Sequence, residues 1–147
     1  MKHFRILHGL VLASALLFGG KSGAQNPANW TEKQLITPVQ LAGNITSKKD
    51  LPMIISVGPG ASIPASIGIG MINTAEGLQK LKDKLKTIDK NKKIVVYCGC
   101  CPFEHCPNVR PAIDALKEMK FTNYYLLDLP TNLKKDWIDK GYPVVTL

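Results

Sequence analysis

Residues 92–112 read KKIVVYCGCCPFEHCPNVRPA, and this stretch decides how the chain folds. The apolar, β-branched run at residues 94–97 predicts a buried strand. Apolar residues then recur at helical spacing over residues 109–119, which predicts a helix. Asn108 precedes this helix as its expected N-cap. All four cysteines of the chain lie in the loop that joins the predicted strand to the predicted helix.

The position of these cysteines predicts a reactive thiol. A thiol beside a helix N-terminus meets backbone N–H groups without helical partners and the positive end of the helix dipole, and both favour the nucleophilic thiolate. Cys98 follows the predicted strand directly, so we expect it to be the catalytic nucleophile. Arg110, in the first turn of the helix, is the expected binding residue for a small anion.

The rest of the chain alternates between predicted strands and helices. Further strands are expected at residues 53–57, 67–71, 124–128 and 142–145, and further helices at residues 38–45, 74–88 and 133–140. Thr37 and Thr74 are the expected N-caps, and Gly141 is expected to end the last helix. This alternation predicts an α/β fold with a mainly parallel sheet of about five strands flanked by helices.

The amino terminus of the 147-residue chain has the pattern of an export signal. Lys2 and Arg5 precede nine mostly apolar residues at 10–18, and small residues at 22–24 form a cleavage site. The apolar run is too short to span a bilayer, which takes about 20 residues. We therefore expect a signal peptide at 1–24, a lead-in at 25–35 that docks on the core, and one domain at 36–147. No stable membrane anchor is expected after cleavage.

The charge and the export signal together limit the expected partners. The net charge of +8 falls to +5 once the three basic residues of the signal are removed. The remaining lysines are dispersed and not interleaved with aromatic residues, so we expect a solvated surface and no nucleic-acid binding. The expected location is periplasmic or secreted.

The order of motifs in the second half of the chain resembles that of the rhodanese-like domain. The resemblance is carried by IVVYC at residues 94–98, FTNYYLL at 121–127, Trp137, and GYPVV at 141–145. It implies a rhodanese-like α/β fold and thiosulfate sulfurtransferase-like activity. It also implies that Cys98 carries sulfur as a persulfide, taken from a small sulfur-donor anion and passed to a thiol acceptor. The segment from Cys98 to Arg110 is about twice as long as in the family.

The three further cysteines leave a redox function open. Four cysteines within nine residues can close only small loops, so they are poor staples of distant segments. Cys100, Cys101 and Cys106 are instead candidate resolving thiols that would form a disulfide with an oxidised or persulfidated Cys98. The alternative function is thus a thiol–disulfide redox protein or sensor.

Metal binding is a third hypothesis. The loop offers five soft ligands suited to copper or zinc, which are the four cysteines, Cys100 included, and His105. The alternative metal set is Cys98, Cys101, His105 and Cys106. Structural zinc sites usually take ligand pairs from two separate segments, so we expect a single loop restrained by prolines to be a poor tetrahedral cage. The primary expectation is therefore that the protein holds no metal and no resident cofactor.

Overall fold

A computed structural model describes residues 30–145 and shows a five-stranded sheet in which all strands are parallel. The strand order is β1-β5-β4-β2-β3, so β4 lies at the centre. The strands are β1 (Leu35–Ile36), β2 (Met53–Ser56), β3 (Ser66–Gly68), β4 (Ile94–Tyr97) and β5 (Tyr124–Leu127). The predicted α/β architecture with about five strands is confirmed.

Helices cover both faces of the sheet. They are α1 (Pro38–Ser47), α2 (Ala75–Leu85) and α3 (Val109–Glu118), and the shorter turns are 3-10 helices at Glu32–Gln34 and Phe103–His105 and a π-type helix at Lys134–Ile138. The side chains of β4 alternate between two buried clusters. Val96 packs with α2 and α3 on one face, whereas Val95 packs with α1 and Trp137 on the other. A fully buried β4 is what a parallel sheet covered on both faces requires.

The predicted strands at 53–57, 94–97 and 124–128 are confirmed, and the strand predicted at 67–71 occurs slightly earlier. The strand predicted at residues 142–145 is wrong, because these residues form neither helix nor strand. Pro143 has no N–H for a ladder, and its carbonyl oxygen accepts a hydrogen bond from Trp137 Nε1 at 2.7 Å. The sheet has five strands because β1, which was not predicted, pairs with Leu126 and Leu127 of β5.

The helices predicted at 38–45, 74–88 and 109–119 are confirmed as α1, α2 and α3. Thr37 and Thr74 cap α1 and α2 by accepting hydrogen bonds from the backbone N–H groups of Gln40 and Gly77. The last predicted helix is present only as the π-type turn, and Gly141 follows it with a φ of 74°. Trp30 of the lead-in packs against the core, as expected.

The predicted signal peptide at 1–24 and the first residues of the lead-in lie outside the described residues. Within residues 30–145 no helix combines the length and the apolar character needed to cross a membrane.

Candidate functional site in the cysteine loop

The cysteine loop begins at the carboxyl end of the central strand. The Tyr97 carbonyl oxygen still accepts a hydrogen bond from the Val57 N–H at 2.9 Å, and Cys98 is the next residue. In an open parallel sheet, this edge is where ligands bind. The structure therefore places Cys98 where the sequence predicted it, at the end of β4.

Two contacts hold the loop against the segment that follows β5. The Gly99 carbonyl oxygen accepts from the Leu133 N–H at 3.1 Å, and the Phe103 N–H donates to the Leu129 carbonyl oxygen at 3.2 Å. A Cβ at Gly99 would lie 3.0 Å from Leu133 Cβ, so a side chain at this position would require Leu133 to shift by a few tenths of an ångström. Phe103 is buried and begins the short 3-10 helix that returns the chain to Cys106.

The loop brings all four sulfur atoms together. The Sγ atoms of Cys98, Cys100, Cys101 and Cys106 all lie within 4.8 Å of one another. The sulfurs of Cys98 and Cys100 are 3.3 Å apart, as are those of Cys100 and Cys101. Cys98 and Cys106 are 2% and 1% exposed, whereas Cys100 is exposed. Two sulfurs are thus buried and one is open to solvent.

The helix N-terminus acts on Cys106 and not on Cys98. A hydrogen bond from the Cys98 thiol, together with bonds from the backbone N–H groups of Asn108 and Val109, lowers the pKa of Cys106 to about 5. The hydrogen bond to Cys106 and burial raise the pKa of Cys98 above its ordinary range. Burial and hydrogen bonds to Cys100 and Cys106 raise the pKa of Cys101 to about 12. Of the two buried sulfurs, Cys106 is therefore the one that carries the negative charge.

The sequence predicts that the N–H groups at the start of α3 stabilise the Cys98 thiolate, and this prediction is wrong. The long loop places Cys106 beside these groups instead. Cys98 receives a different donor, the backbone N–H of Cys100, which favours its charged form. The catalytic role of Cys98 stays a prediction.

Asn108 is a site residue that the sequence did not reveal. It occupies the N-cap position of α3, but its side chain makes no cap hydrogen bond. Its Oδ1 instead accepts from the backbone N–H groups of Ile72 and Asn73 at 2.9 and 3.0 Å, and its Nδ2 lies 3.9 Å from Cys98 Sγ. The buried amide thus ties the loop before α2 to the cysteine loop and turns a donor toward Cys98.

Gly58 forms the opposite wall of the Cys98 site. A Cβ added at this position would lie 2.5 Å from Cys98 Sγ, closer than any real contact allows. The glycine follows β2, which is the neighbour of β4 in the sheet. The absence of a side chain at Gly58 therefore provides the space that the Cys98 sulfur occupies.

Arg110 and His105 are not part of the cluster of four sulfurs. The Arg110 guanidinium donates to the Glu104 carbonyl oxygen at 3.4 Å and lines a surface concavity with Trp30, Asp114 and Lys117. Its predicted role in anion binding stays a prediction. His105 is exposed, and the four-ligand cluster found among the described residues contains Cys100 in place of it.

Solved structures share this fold at low sequence identity. A protein from Lactobacillus plantarum superposes with a TM-score of 0.58 at 15% identity, covering 78% of this chain and 89% of its own. The Alr3790 protein from Anabaena sp. superposes with a TM-score of 0.54 at 15% identity, covering 76% of this chain and 92% of its own. A structure of EanB, which holds a cysteine persulfide in a tetrahedral intermediate state with ergothioneine, also shares the fold. It superposes with a TM-score of 0.54 at 19% identity, covering 76% of this chain and 28% of EanB.

No sequence-family profile and no curated protein matches this chain. At these identities, the solved structures show a common fold and nothing finer. The α/β fold with a five-stranded parallel sheet is therefore the architecture of this chain, in agreement with what the rhodanese resemblance implies.

Proposed function

We propose that this protein transfers sulfur by carrying it as a persulfide on Cys98, in the manner of a rhodanese-like sulfurtransferase. The observation that supports this most is the place of Cys98, directly beyond the central strand and within 4.8 Å of three further thiols. EanB, which shares the fold, carries a persulfide on a cysteine. The proposed partners are a small sulfur-donor anion and a thiol acceptor.

The proposed reaction has two transfers. The Cys98 proton moves to the Cys106 thiolate, whose sulfur lies within 4.8 Å, as Cys98 Sγ attacks the outer sulfur of thiosulfate. The sulfur–sulfur bond of thiosulfate breaks, sulfite leaves with the electron pair, and Cys98 keeps the transferred sulfur. An acceptor thiolate then attacks that terminal sulfur, and Cys98 leaves as a thiolate.

Two donors favour negative charge on the Cys98 side chain. The backbone N–H of Cys100 and the Nδ2 of Asn108 both face its sulfur. Donors aimed at a site where charge develops stabilise the charged state without reorganisation. Arg110 is the proposed first contact for the anionic donor.

Mass spectrometry of the reduced, chelator-treated protein after incubation with thiosulfate tests the proposal. The wild type should gain the mass of one sulfur atom, and the gain should disappear on treatment with an acceptor thiol. Cys98→Ser should abolish the gain, and the exposed His105→Gln should retain it as the matched control. A gain that persists in Cys98→Ser would refute the assignment.

A thiol–disulfide function is the second candidate, and the 3.3 Å contact between the sulfurs of Cys98 and Cys100 favours it. In this scheme, a Cys100 thiolate attacks the inner sulfur of the Cys98 persulfide, a disulfide forms, and hydrosulfide leaves. The two electrons come from the thiol pair, so an external dithiol must reduce the disulfide. Alkylation after thiosulfate should then show two reactive sulfur groups lost per chain, whereas simple sulfur transfer loses none, because the terminal sulfur of a persulfide is itself alkylated.

The proposed site of action is the periplasm or the cell exterior, because the sequence pattern of residues 1–24 is that of an export signal. Amino-terminal sequencing of the protein recovered from its native compartment would test this. A mature chain that starts at Gln25 is expected, and a full-length chain in the cytosolic fraction would contradict the proposal.

A further inference from the structure

The four sulfurs have an arrangement that sulfur transfer on Cys98 does not require. A persulfide carrier needs one sulfur, and a resolving reaction needs two. All four thiols of the loop nevertheless converge within 4.8 Å. They come from the end of β4, from the loop itself and from the residue three places before α3.

The distances fit a tetrahedral metal centre. Zinc–sulfur bonds of about 2.3 Å in a tetrahedron place the sulfurs about 3.8 Å apart. The two contacts of 3.3 Å and the upper limit of 4.8 Å bracket that value. Changes of about 0.5 to 1 Å in the sulfur–sulfur distances would therefore bring the four sulfurs to bonding positions around one ion.

The geometry points to a site for a thiophilic d10 cation, zinc(II) or copper(I), held by Cys98, Cys100, Cys101 and Cys106. Four sulfur ligands select such ions over hard cations. The expectation that one loop makes a poor cage is set here against the convergence of all four sulfurs, and the proposed ligand set includes Cys100 and leaves out His105. The 3-10 turn at Phe103–His105 is what folds the loop back on itself.

The surroundings suit thiolate ligands. Cys106 lies just before the N-terminus of α3, and Asn108 Nδ2 lies 3.9 Å from Cys98 Sγ. Such donors around the ligands orient them and offset the charge of a tetrathiolate centre. The exposed Cys100 leaves one side of the site open, so the ion can enter and leave through it. This site does not rest on the proposed sulfur transfer.

Metal loading of the reduced, full-length chain tests the inference. The protein is stripped with a chelator, incubated with zinc(II) in one arm and with copper(I) in the other, and gel-filtered. Elemental analysis should find one metal per chain in at least one arm, and alkylation should find all four thiols protected there. Substitution with cobalt(II) should give the charge-transfer and d–d bands of a tetrahedral thiolate complex.

Two variants define the ligand set. Cys100→Ser should weaken metal affinity more than the roughly 100-fold that loss of an outer hydrogen-bond partner can cost. His105→Gln should leave the affinity unchanged. Less than stoichiometric metal in both arms would overturn the inference. So would reactive thiols in the loaded wild type, wild-type affinity in Cys100→Ser, or weakened binding in His105→Gln. Failure of these tests leaves the persulfide experiment unaffected, because that experiment uses chelator-treated protein.

Discussion

Replacement of Asn108 by aspartate separates its structural contacts from its contact with Cys98. In Asn108→Asp, one carboxylate oxygen can still accept from the N–H groups of Ile72 and Asn73. The second oxygen takes the place of Nδ2, 3.9 Å from Cys98 Sγ. The variant thus keeps the loop connection and replaces a donor by a negative charge.

The expected effect follows from Coulomb's law. Two like charges 3.9 Å apart at an effective dielectric constant of about 20 repel by about 4 kcal/mol. At about 1.4 kcal/mol per decade, this corresponds to roughly a thousandfold loss of the thiolate or persulfide anion on Cys98. The two backbone N–H bonds favour the ionised form of the new carboxylate, so the loss should be greatest at neutral and alkaline pH and smaller in acid.

The assay is the rate at which Cys98 gains a sulfur from thiosulfate, followed by mass spectrometry at several pH values, with thermal unfolding measured on the same samples. Asn108→Ala is the control, because it removes the acceptor for the buried Ile72 N–H and should cost about 1–3 kcal/mol of stability without adding charge. Asn108→Asp should therefore lose more of the rate than Asn108→Ala. A wild-type rate in a folded Asn108→Asp at pH 8 would refute the view that Cys98 carries negative charge during the reaction.

Three further outcomes are expected for the reduced, metal-free protein. The pKa of Cys106, about 5 in the folded state, is below its unfolded value of about 8.5. Its contribution to stability is therefore complete above about pH 8.5 and is lost as the pH falls toward 5, by up to about 1.4 kcal/mol per pH unit. Unfolding curves of the wild type and Cys106→Ser should diverge over this range, and parallel curves would contradict the assignment. Gly58→Ala should force Cys98 Sγ aside, cost about 1–3 kcal/mol and slow persulfide formation. A Cβ added at Gly43 would meet no atom within 4 Å, so Gly43→Ala should not lower the free energy of unfolding. Equal stability and equal persulfide rates in the two variants would refute the steric explanation. Trp137→Phe should cost about 1–3 kcal/mol in urea unfolding, because it leaves a backbone carbonyl without its 2.7 Å partner. An unchanged unfolding midpoint would show that water replaces this bond.

The central part of the fold was predictable because its signals are local. A short β-branched run followed by a helical pattern predicts β4 and α3, and threonines before helices predict caps, without knowledge of distant residues. The edge strand β1 was not predicted, because a strand of two residues is too short to show alternation of apolar and polar side chains. Its pairing with β5 depends on residues about 90 positions away in the chain.

The site was predictable in position but not in detail. Asn108 before a helix looks the same in sequence whether it caps the helix or bonds the backbone of Ile72, and only the folded chain decides between them. Similarly, the spacing of the cysteines does not say which sulfur meets the amides of α3. In the folded chain, the 3-10 turn places Cys106, and not Cys98, beside the N-terminus of α3.

Sulfur transfer and metal binding compete for the same sulfur, that of Cys98. A sulfur that is bonded to a cation cannot attack thiosulfate, so only the metal-free fraction of the protein can form a persulfide. At a free zinc concentration about 100 times Kd, roughly 1% of the chains are metal-free, and the rate of sulfur gain on Cys98 should fall about a hundredfold. The measurement is sulfur gain during a zinc titration, with magnesium, which prefers oxygen ligands, as the control cation. An undiminished rate in zinc-saturated protein would mean that Cys98 lies outside the metal site. In that case, one of the four thiols serves sulfur transfer and the other three hold the ion.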